Sequence, residues 1–211
     1  MKLIGMLDSP YVRRTAITLR CLGIPFEHQA LSAFSTFREF KELNPVAKAP
    51  TLILDSGEVL MDSTLIIDYA ESCLADKSLL PADKYERMVA LQCISHALAA
   101  TDKSAQLIYE RNLRPVEKQH EPWLERVTGQ VLAACEGLES LLAKYPSTVQ
   151  SGRMTQAVIT SAVAWQFVNS MFPALVTAAA HPHLQMLSTR AESLPEFLAF
   201  PPDGAGVVAH A

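Results

Sequence analysis

Two predicted helix starts, each with a serine, are suited to binding an anion. Ser9 precedes Pro10 in the string DSPYVRR, and Asp62 and Ser63 open the string DSTLIIDYA. The first N–H groups of a helix lack partners inside the helix, and the helix dipole is positive at that end, so both places attract negative charge. The same residue types are also the commonest helix caps, and from the residues alone capping is the simpler explanation.

The elements that carry these helix starts alternate between strand and helix. KLIGML and PFEHQAL are strand candidates on either side of the helical pattern YVRRTAITLRCLG. Phenylalanines at helical spacing follow until NPVAKAP interrupts them, and TLILD and EVLM then form a predicted hairpin around Ser56 and Gly57. With the helix that starts at DST, the order is β, α, β, α, β, β, α, which predicts an α/β domain.

After Asp83 the strand signals end and amphipathic helices take over. Two long helical patterns are separated near Pro115, and a third, MTQAVITSAVAWQFVNSMF, ends before Pro173. Thr155 is predicted to cap this third helix, although only half of a capping box is present. We therefore predict an α/β domain over residues 1–76 and an all-α domain over residues 84–211.

Composition excludes several functional classes. The chain has 211 residues, 49% of them apolar, and a net charge of −4 with no basic run longer than Arg13–Arg14, which argues against nucleic acid binding. Its four cysteines are widely spaced, as expected for a protein of the reducing cytoplasm without a metal site, and no signal peptide is recognisable. The uncharged stretch between Arg153 and Arg190 is too polar for a membrane span and predicts a buried helix.

The order and spacing of these motifs resemble the glutathione S-transferases, in particular bacterial members with a catalytic serine. SPYVRR stands at the first helix, NPVAKAP resembles the family pattern NPxGKVP, and DST resembles its acidic residue–Ser pair. EPWLERVTGQVLAACEGLE and HPHLQMLSTRAESLPEF resemble the helical domains of bacterial members. The resemblance implies a thioredoxin-like N-terminal domain that binds glutathione as co-substrate, an all-α C-terminal domain that binds a small apolar electrophile, and a homodimer.

The resemblance implies that Ser9 activates the glutathione thiol. A free thiol is only about 3% ionised at pH 7, and the thiolate is the nucleophile. A hydroxyl that donates to the sulfur next to a helix N-terminus would stabilise the thiolate. Tyr11 is the competing candidate, because some classes use a phenol. Other classes carry Cys where this chain has Ser9, and since Ser forms no mixed disulfide, conjugation is favoured over thiol–disulfide exchange.

The resemblance implies further glutathione contacts from the loop NPVAKAP. Lys48 and Ala49 would contact the ligand, Ala49 through its main chain, and Pro50 would follow a cis peptide bond. Without the resemblance, an ordinary trans proline opening a strand explains Pro50 equally well. Ala47 replaces the family's usual glycine, and we expect this position not to require a positive φ angle.

The resemblance also implies that Asp62 and Ser63 hold the γ-glutamyl end of glutathione. Asp62 would attract the ammonium group, and Ser63 would bind the carboxylate through its hydroxyl and N–H. Asp102, in the first long helix, falls where some members reach into the glutathione site of the neighbouring subunit. From the residues alone, Asp102 is a solvated surface charge.

The second substrate is the least determined part of the site. Tyr11, Phe34, Leu107 and Trp165 are its candidate lining residues. Each of the apolar ones is explained equally well as core. Two other functions also stay open: a non-catalytic regulator of the stringent starvation type, and a glutathione-dependent isomerase. The presence of Pro50, Asp62 and Ser63 counts against the first, and the single Ser of DSPYVRR against the second.

Overall fold

The first part of the chain forms a four-stranded sheet. Its strands are β1 (Lys2–Ile4), β2 (Glu27–Gln29), β3 (Thr51–Ile53) and β4 (Val59–Met61), in the spatial order β2-β1-β3-β4. β1 runs parallel to β2, and β3 is antiparallel to both β1 and β4. The computed structural model describes residues 1–146 and 153–204 of the chain.

Three helices accompany this sheet: α1 (Pro10–Leu22), α2 (Phe37–Leu43) and α3 (Ser63–Tyr69), the last continuing into a single π-helical turn, Ala70–Leu74. Gly23 ends α1 in the left-handed conformation that a residue without a Cβ adopts most easily. Ile4, Leu31 and Phe40 form a core cluster. The predicted element order and the thioredoxin-like fold class are confirmed.

The described residues of the following part of the chain form the α-helices α4 (Lys84–Leu113), α5 (Glu121–Lys144), α6 (Gln156–Met171) and α7 (Pro182–Glu192). Asp83 caps α4 by accepting from the N–H groups of Tyr85 and Glu86, both at 2.9 Å. The predicted cap of α6 is confirmed, since Thr155 Oγ1 accepts from the N–H of Val158 at 3.3 Å.

Helix α6 is buried along most of its length, as the uncharged sequence predicts. A helix enclosed by other helices can be apolar on all sides without entering a membrane. None of the helices in the described ranges combines the length and the apolar character needed to cross a membrane.

The chain divides into two units, and the end of the described chain belongs to the first. One unit contains Met1–Leu79 and the segment that begins at Leu194, and the other contains Leu80–Ser193. This final segment holds a short helix, α8 (Pro195–Leu198). Sequence analysis assigned it to the helical domain. It joins the first unit because its Phe197 is fully buried there, beneath the guanidinium of Arg13.

Candidate functional site

Ser9 lies where the sequence predicts it, at the N-cap of α1, but its side chain does not act as a cap. Its carbonyl accepts from the N–H of Arg13 at 3.0 Å, and its own N–H donates to the carbonyl of Met6 at 3.2 Å. The expected capping hydrogen bond, in which the hydroxyl would accept from a backbone N–H, is absent. Pro10, the next residue, has no N–H, so one of the orphan donors of this helix start is already removed. The Ser9 hydroxyl is therefore not committed to the helix backbone.

Gly5 brings the start of α1 close to the loop that ends at Pro50. Gly5 has a φ of +140°, and a Cβ built on it would lie 2.5 Å from Cγ2 of Val12 and 3.2 Å from Cβ of Ala49. Only a residue without a side chain fits this space. Helix α1 and Ala49 therefore both lie close to Gly5, directly after β1.

The loop before β3 contains the predicted cis peptide bond between Ala49 and Pro50, which the structure confirms. Asn44 organises this loop: its Oδ1 accepts from the N–H of Val46 at 3.0 Å and its Nδ2 donates to Oγ1 of Thr51 at 2.8 Å. Thr51 in turn donates to the carbonyl of Lys48 at 2.7 Å. Sequence analysis did not single out Asn44, although Asn before Pro is a common turn signal.

Ala47 corrects one expectation. The sequence led us to expect a residue with negative φ, but Ala47 adopts a φ of +51°. The left-handed conformation places Cβ close to the following carbonyl and costs an alanine on the order of 1 kcal/mol more than a glycine. The loop keeps this conformation because the N–H of Ala47 donates to the carbonyl of Asn44 at 2.8 Å.

Asp62 is the N-cap of α3, as predicted, and it is also paired with Lys48. Its Oδ1 accepts from the N–H of Thr64 at 2.9 Å, and its Oδ2 lies 3.0 Å from Nζ of Lys48. Partial burial favours the neutral acid, but the hydrogen bonds from Lys48 and Thr64 outweigh it and hold the pKa of Asp62 below its usual value. Two residues that the sequence assigned to one ligand are thus in direct contact.

Arg14 is the functional candidate that sequence analysis missed. It is buried on α1, and its Nη1 donates to Oγ of Ser63 at 2.9 Å and to Oγ1 of Thr64 at 3.3 Å. Burial lowers its pKa to about 10, against the opposing effect of the nearby Asp62 and Tyr11. Arg14 therefore stays charged at pH 7 and adds a buried cation to the start of α3. The charged pair Arg13–Arg14, between the apolar residues of the first half of α1, was the available signal.

Asp102 belongs to α4 in the second unit. Its carboxylate accepts from Nε2 of Gln106 at 2.9 Å and lies 3.0 Å from Nζ of Lys103. Both partners are on the same helix, one and four residues further along. These contacts fit the surface-charge interpretation of Asp102.

The residues predicted to line the second-substrate pocket differ in how exposed their side chains are. Tyr11, in the first turn of α1, and Phe34, before α2, are half-buried. Leu107 and Trp165 are only 1% and 3% exposed. Nε1 of Trp165 donates to Oε1 of Gln185 at 3.0 Å, which satisfies its polar group inside the helical unit. The burial of these two residues matches the alternative that assigns them to the core.

Burial makes three of the cysteine thiols harder to ionise. All four are free, and burial raises the pKa of Cys93 to about 11 and that of Cys135 to about 12. The pKa of the Cys21 thiol is raised to about 11, again mainly by burial. Over the described ranges, no three His, Cys, Asp or Glu side chains are grouped closely enough to hold a metal ion.

Comparison with known proteins connects this geometry to a family. Residues 3–77 match the family model described as glutathione S-transferase, N-terminal domain. Over 188 residues, 89% of this chain and 91% of the relative, the chain is 30% identical to the uncharacterized GST-like protein YibF of Escherichia coli. The chain belongs to the glutathione S-transferase family. Glutathione S-transferase U4 of Arabidopsis thaliana is 29% identical over 91 residues, which cover 43% of this chain and 41% of that relative.

Solved structures of the glutathione S-transferase family match most of this chain in fold. A glutathione S-transferase from Methylobacterium radiotolerans, crystallised with glutathione sulfonate, has a TM-score of 0.89 and 27% identity, and the match covers 100% of this chain and 98% of that one. A glutathione transferase family member from Pseudomonas fluorescens with bound glutathione has a TM-score of 0.82 and 29% identity, covering 96% and 99%.

The positive φ of Ala47 yields a stability prediction. Ala47→Gly should raise the free energy of unfolding by about 0.5–1 kcal/mol, because glycine adopts the left-handed conformation without the Cβ clash. Urea unfolding followed by circular dichroism measures the change. The matched control is Ala133→Gly, at an exposed position of α5, where the same substitution should destabilise by about 0.5–1 kcal/mol. A destabilised Ala47→Gly variant would contradict the strain argument.

Proposed function

We propose that this protein is a glutathione transferase that uses the thiolate of glutathione to attack a small, apolar electrophile. The observation that carries the proposal is Ser9, whose hydroxyl stands at the N-terminus of α1 without capping it. Such a hydroxyl can donate to a sulfur anion while the helix dipole adds positive potential. The glutathione and glutathione sulfonate bound to the two structural relatives support the choice of ligand.

The start of α3 is suited to the γ-glutamyl end of glutathione. We assign the ligand carboxylate to Ser63 and its N–H, with the buried guanidinium of Arg14 behind them. We assign the ligand ammonium to Asp62, where it would take the place of Lys48. Lys48, once released, can bind the carboxylate at the glycyl end. Exchanging one cation for another keeps Asp62 paired throughout, which avoids leaving a charge uncompensated.

The cysteinyl part would lie between Ala49 and Ser9. The main chain of Ala49 is suited to pair with the ligand backbone as an additional strand. Ser9 Oγ–H then donates to the sulfur, and the thiol proton leaves to solvent. In the reaction a sulfur–carbon bond forms at the electrophile, while the bond to the leaving group breaks and the leaving group departs with its electron pair.

Replacing Ser9 by Ala should alter the pH dependence of the reaction more than the binding of glutathione. If the hydrogen bond and the dipole lower the pKa of the thiol by about two units, they supply roughly 2.7 kcal/mol in favour of the thiolate. A less stabilised thiolate is also a better nucleophile, so the two effects partly cancel. Ser9→Ala should therefore conjugate up to about threefold more slowly near pH 7, and match or exceed the wild-type rate above about pH 9.

Three measurements check this prediction: calorimetric binding of glutathione, the absorbance of the bound thiolate against pH, and the conjugation rate with an aryl halide. Ser9→Thr, which keeps a hydroxyl, should restore part of the low thiol pKa. Ser56→Ala, in the β3–β4 turn, is the matched control and should behave as wild type. If wild-type protein binds no glutathione, the transferase proposal fails. If Ser9→Ala keeps the wild-type thiol pKa, the role of Ser9 fails and the ligand assignment survives.

Arg14→Met should weaken glutathione binding without changing the pKa of its bound thiol. Methionine keeps much of the buried length but removes the charge, and hydrogen-bonded charge interactions of this kind are worth about 1.5–3 kcal/mol, or roughly 10- to 100-fold in Kd. Arg20→Met, at an exposed position on the same helix, is the control. Cysteinylglycine lacks the γ-glutamyl group, so wild type and Arg14→Met should bind it equally. Equal loss of affinity for both ligands would contradict the assignment.

We further propose that the protein is a homodimer that uses the outer face of α4. Met88 and Leu91 are 40% and 48% exposed on this helix, beside a groove of 430 Å³ that they line together with Arg87 and Gln92. Adjacent apolar side chains on a charged surface are typical of an interface.

Leu91→Glu should shift the protein from dimer to monomer at micromolar concentration, because association would bury the new carboxylate without a partner. Sedimentation velocity measures the change. Leu113→Glu is the matched control, because Leu113 is 43% exposed at the other end of α4. A wild-type protein that sediments as a monomer would refute the dimer.

A further inference from the structure

The segment after Leu194 is fixed to α1 by Arg13, a residue that the proposed function does not use. Arg13 is fully buried, and its Nε donates to the carbonyl of Phe200 at 2.8 Å. Its guanidinium carbon lies 5.5 Å from the ring centre of Phe197, which is fully buried too. A buried guanidinium is tolerated only when its donors and charge find partners. Arg13 therefore ties the main chain of this segment to the helix that begins beside Ser9.

The ring of Phe200 provides a second attachment. It stacks on Phe26, which precedes β2, with 5.7 Å between ring centres and 23° between the ring planes. Aromatic pairs of this geometry contribute beyond their buried area. The position of Phe200 is thus set by a hydrogen bond to its main chain and by a contact of its side chain.

The residues that follow Phe200 contact Asp8, the residue before Ser9. Pro201 and Pro202 follow, and the carbonyl of Asp203 accepts from the N–H of Asp8 at 3.0 Å. The next residue, Gly204, approaches so closely that a Cβ on it would lie 2.4 Å from Cγ of Asp8. Two consecutive prolines have fixed φ angles, so the position of Phe200 is transmitted to Asp203 with little freedom.

We propose that residues 197–204, here named the brace, are a positioning element for Ser9. The carbonyl of Asp203 in the brace accepts a hydrogen bond from the N–H of Asp8, and the carbonyl of Met6 accepts one from the N–H of Ser9 at 3.2 Å. Together these two bonds fix the peptide between Asp8 and Ser9, and with it the direction of the Ser9 side chain. A hydrogen bond to a thiolate weakens steeply as its angle departs from linear, so this direction matters. The inference rests on the proposed role of Ser9.

The test loosens the brace without removing any of its contacts directly. In the full chain, Pro201→Gly/Pro202→Gly changes two exposed residues and frees the φ angles that position Asp203. We expect amide hydrogen exchange at Asp8 to accelerate by about tenfold and the pKa of the bound glutathione thiol to rise by about 0.5–1 unit, with the Kd for glutathione within twofold of wild type. Pro115→Gly/Pro122→Gly, two exposed prolines of the second unit, is the matched control.

Three outcomes separate the brace from the proposed function. If Ser9→Ala raises the pKa of the bound thiol but the brace variant does not, the brace has no positioning role and the function of Ser9 stands. If the brace variant raises the Kd for glutathione and leaves the thiol pKa unchanged, the brace acts on general stability and the inference is overturned. If Ser9→Ala itself leaves the thiol pKa unchanged, the proposed role of Ser9 fails and the inference fails with it.

Discussion

The contact between the buried guanidinium of Arg14 and the hydroxyl of Ser63 holds the candidate site together. It joins the second turn of α1 to the first residue of α3, so the two helix starts of the candidate site cannot move independently. A guanidinium removed from water would be costly if unpaired. Its hydrogen bonds to Ser63 and Thr64, and the nearby charge of Asp62, make this burial tolerable. In the proposed binding mode the same charge attracts the ligand carboxylate, so packing and binding would use one group.

The secondary structure that surrounds the candidate site could be predicted from sequence because it follows local signals, whereas the roles of the site residues were implied only by the family resemblance. The periodicity of apolar residues predicted the element order, and the pairs Ser–Pro and Asp–Ser predicted the two helix starts. Thr155 predicted a helix cap, which the structure contains. The contact between Lys48 and Asp62 was implied only through a shared ligand, yet the two side chains meet directly. Short-range rules succeed here because each depends on residues fewer than about five positions apart.

The features that escaped prediction depend on contacts between distant parts of the chain. The partner of Arg14 is 49 residues away, and Arg13 meets a carbonyl 187 residues away. Glu139 on α5 accepts from the N–H groups of His183 and Leu184, both at 2.9 Å, and so caps α7 from another helix. No pattern of neighbouring residues in the sequence predicts such pairs. The prediction for the φ angle of Ala47 was wrong for a different reason. The loop around Asn44 overrides the intrinsic backbone preference of a single alanine.

Thiol activation alone explains only a small part of a transferase reaction. Lowering the pKa of a thiol from about 8.5 to about 6.5 raises its ionised fraction at pH 7 roughly 25-fold. With a Brønsted slope of about 0.4–0.5, the same shift lowers the intrinsic reactivity of the thiolate roughly eightfold. The net gain is about threefold, so most of the acceleration has to come from holding the sulfur and the electrophile in a reactive arrangement. In the proposed reaction, residues that fix the direction of Ser9 and the place of the sulfur would then matter as much as the hydroxyl itself.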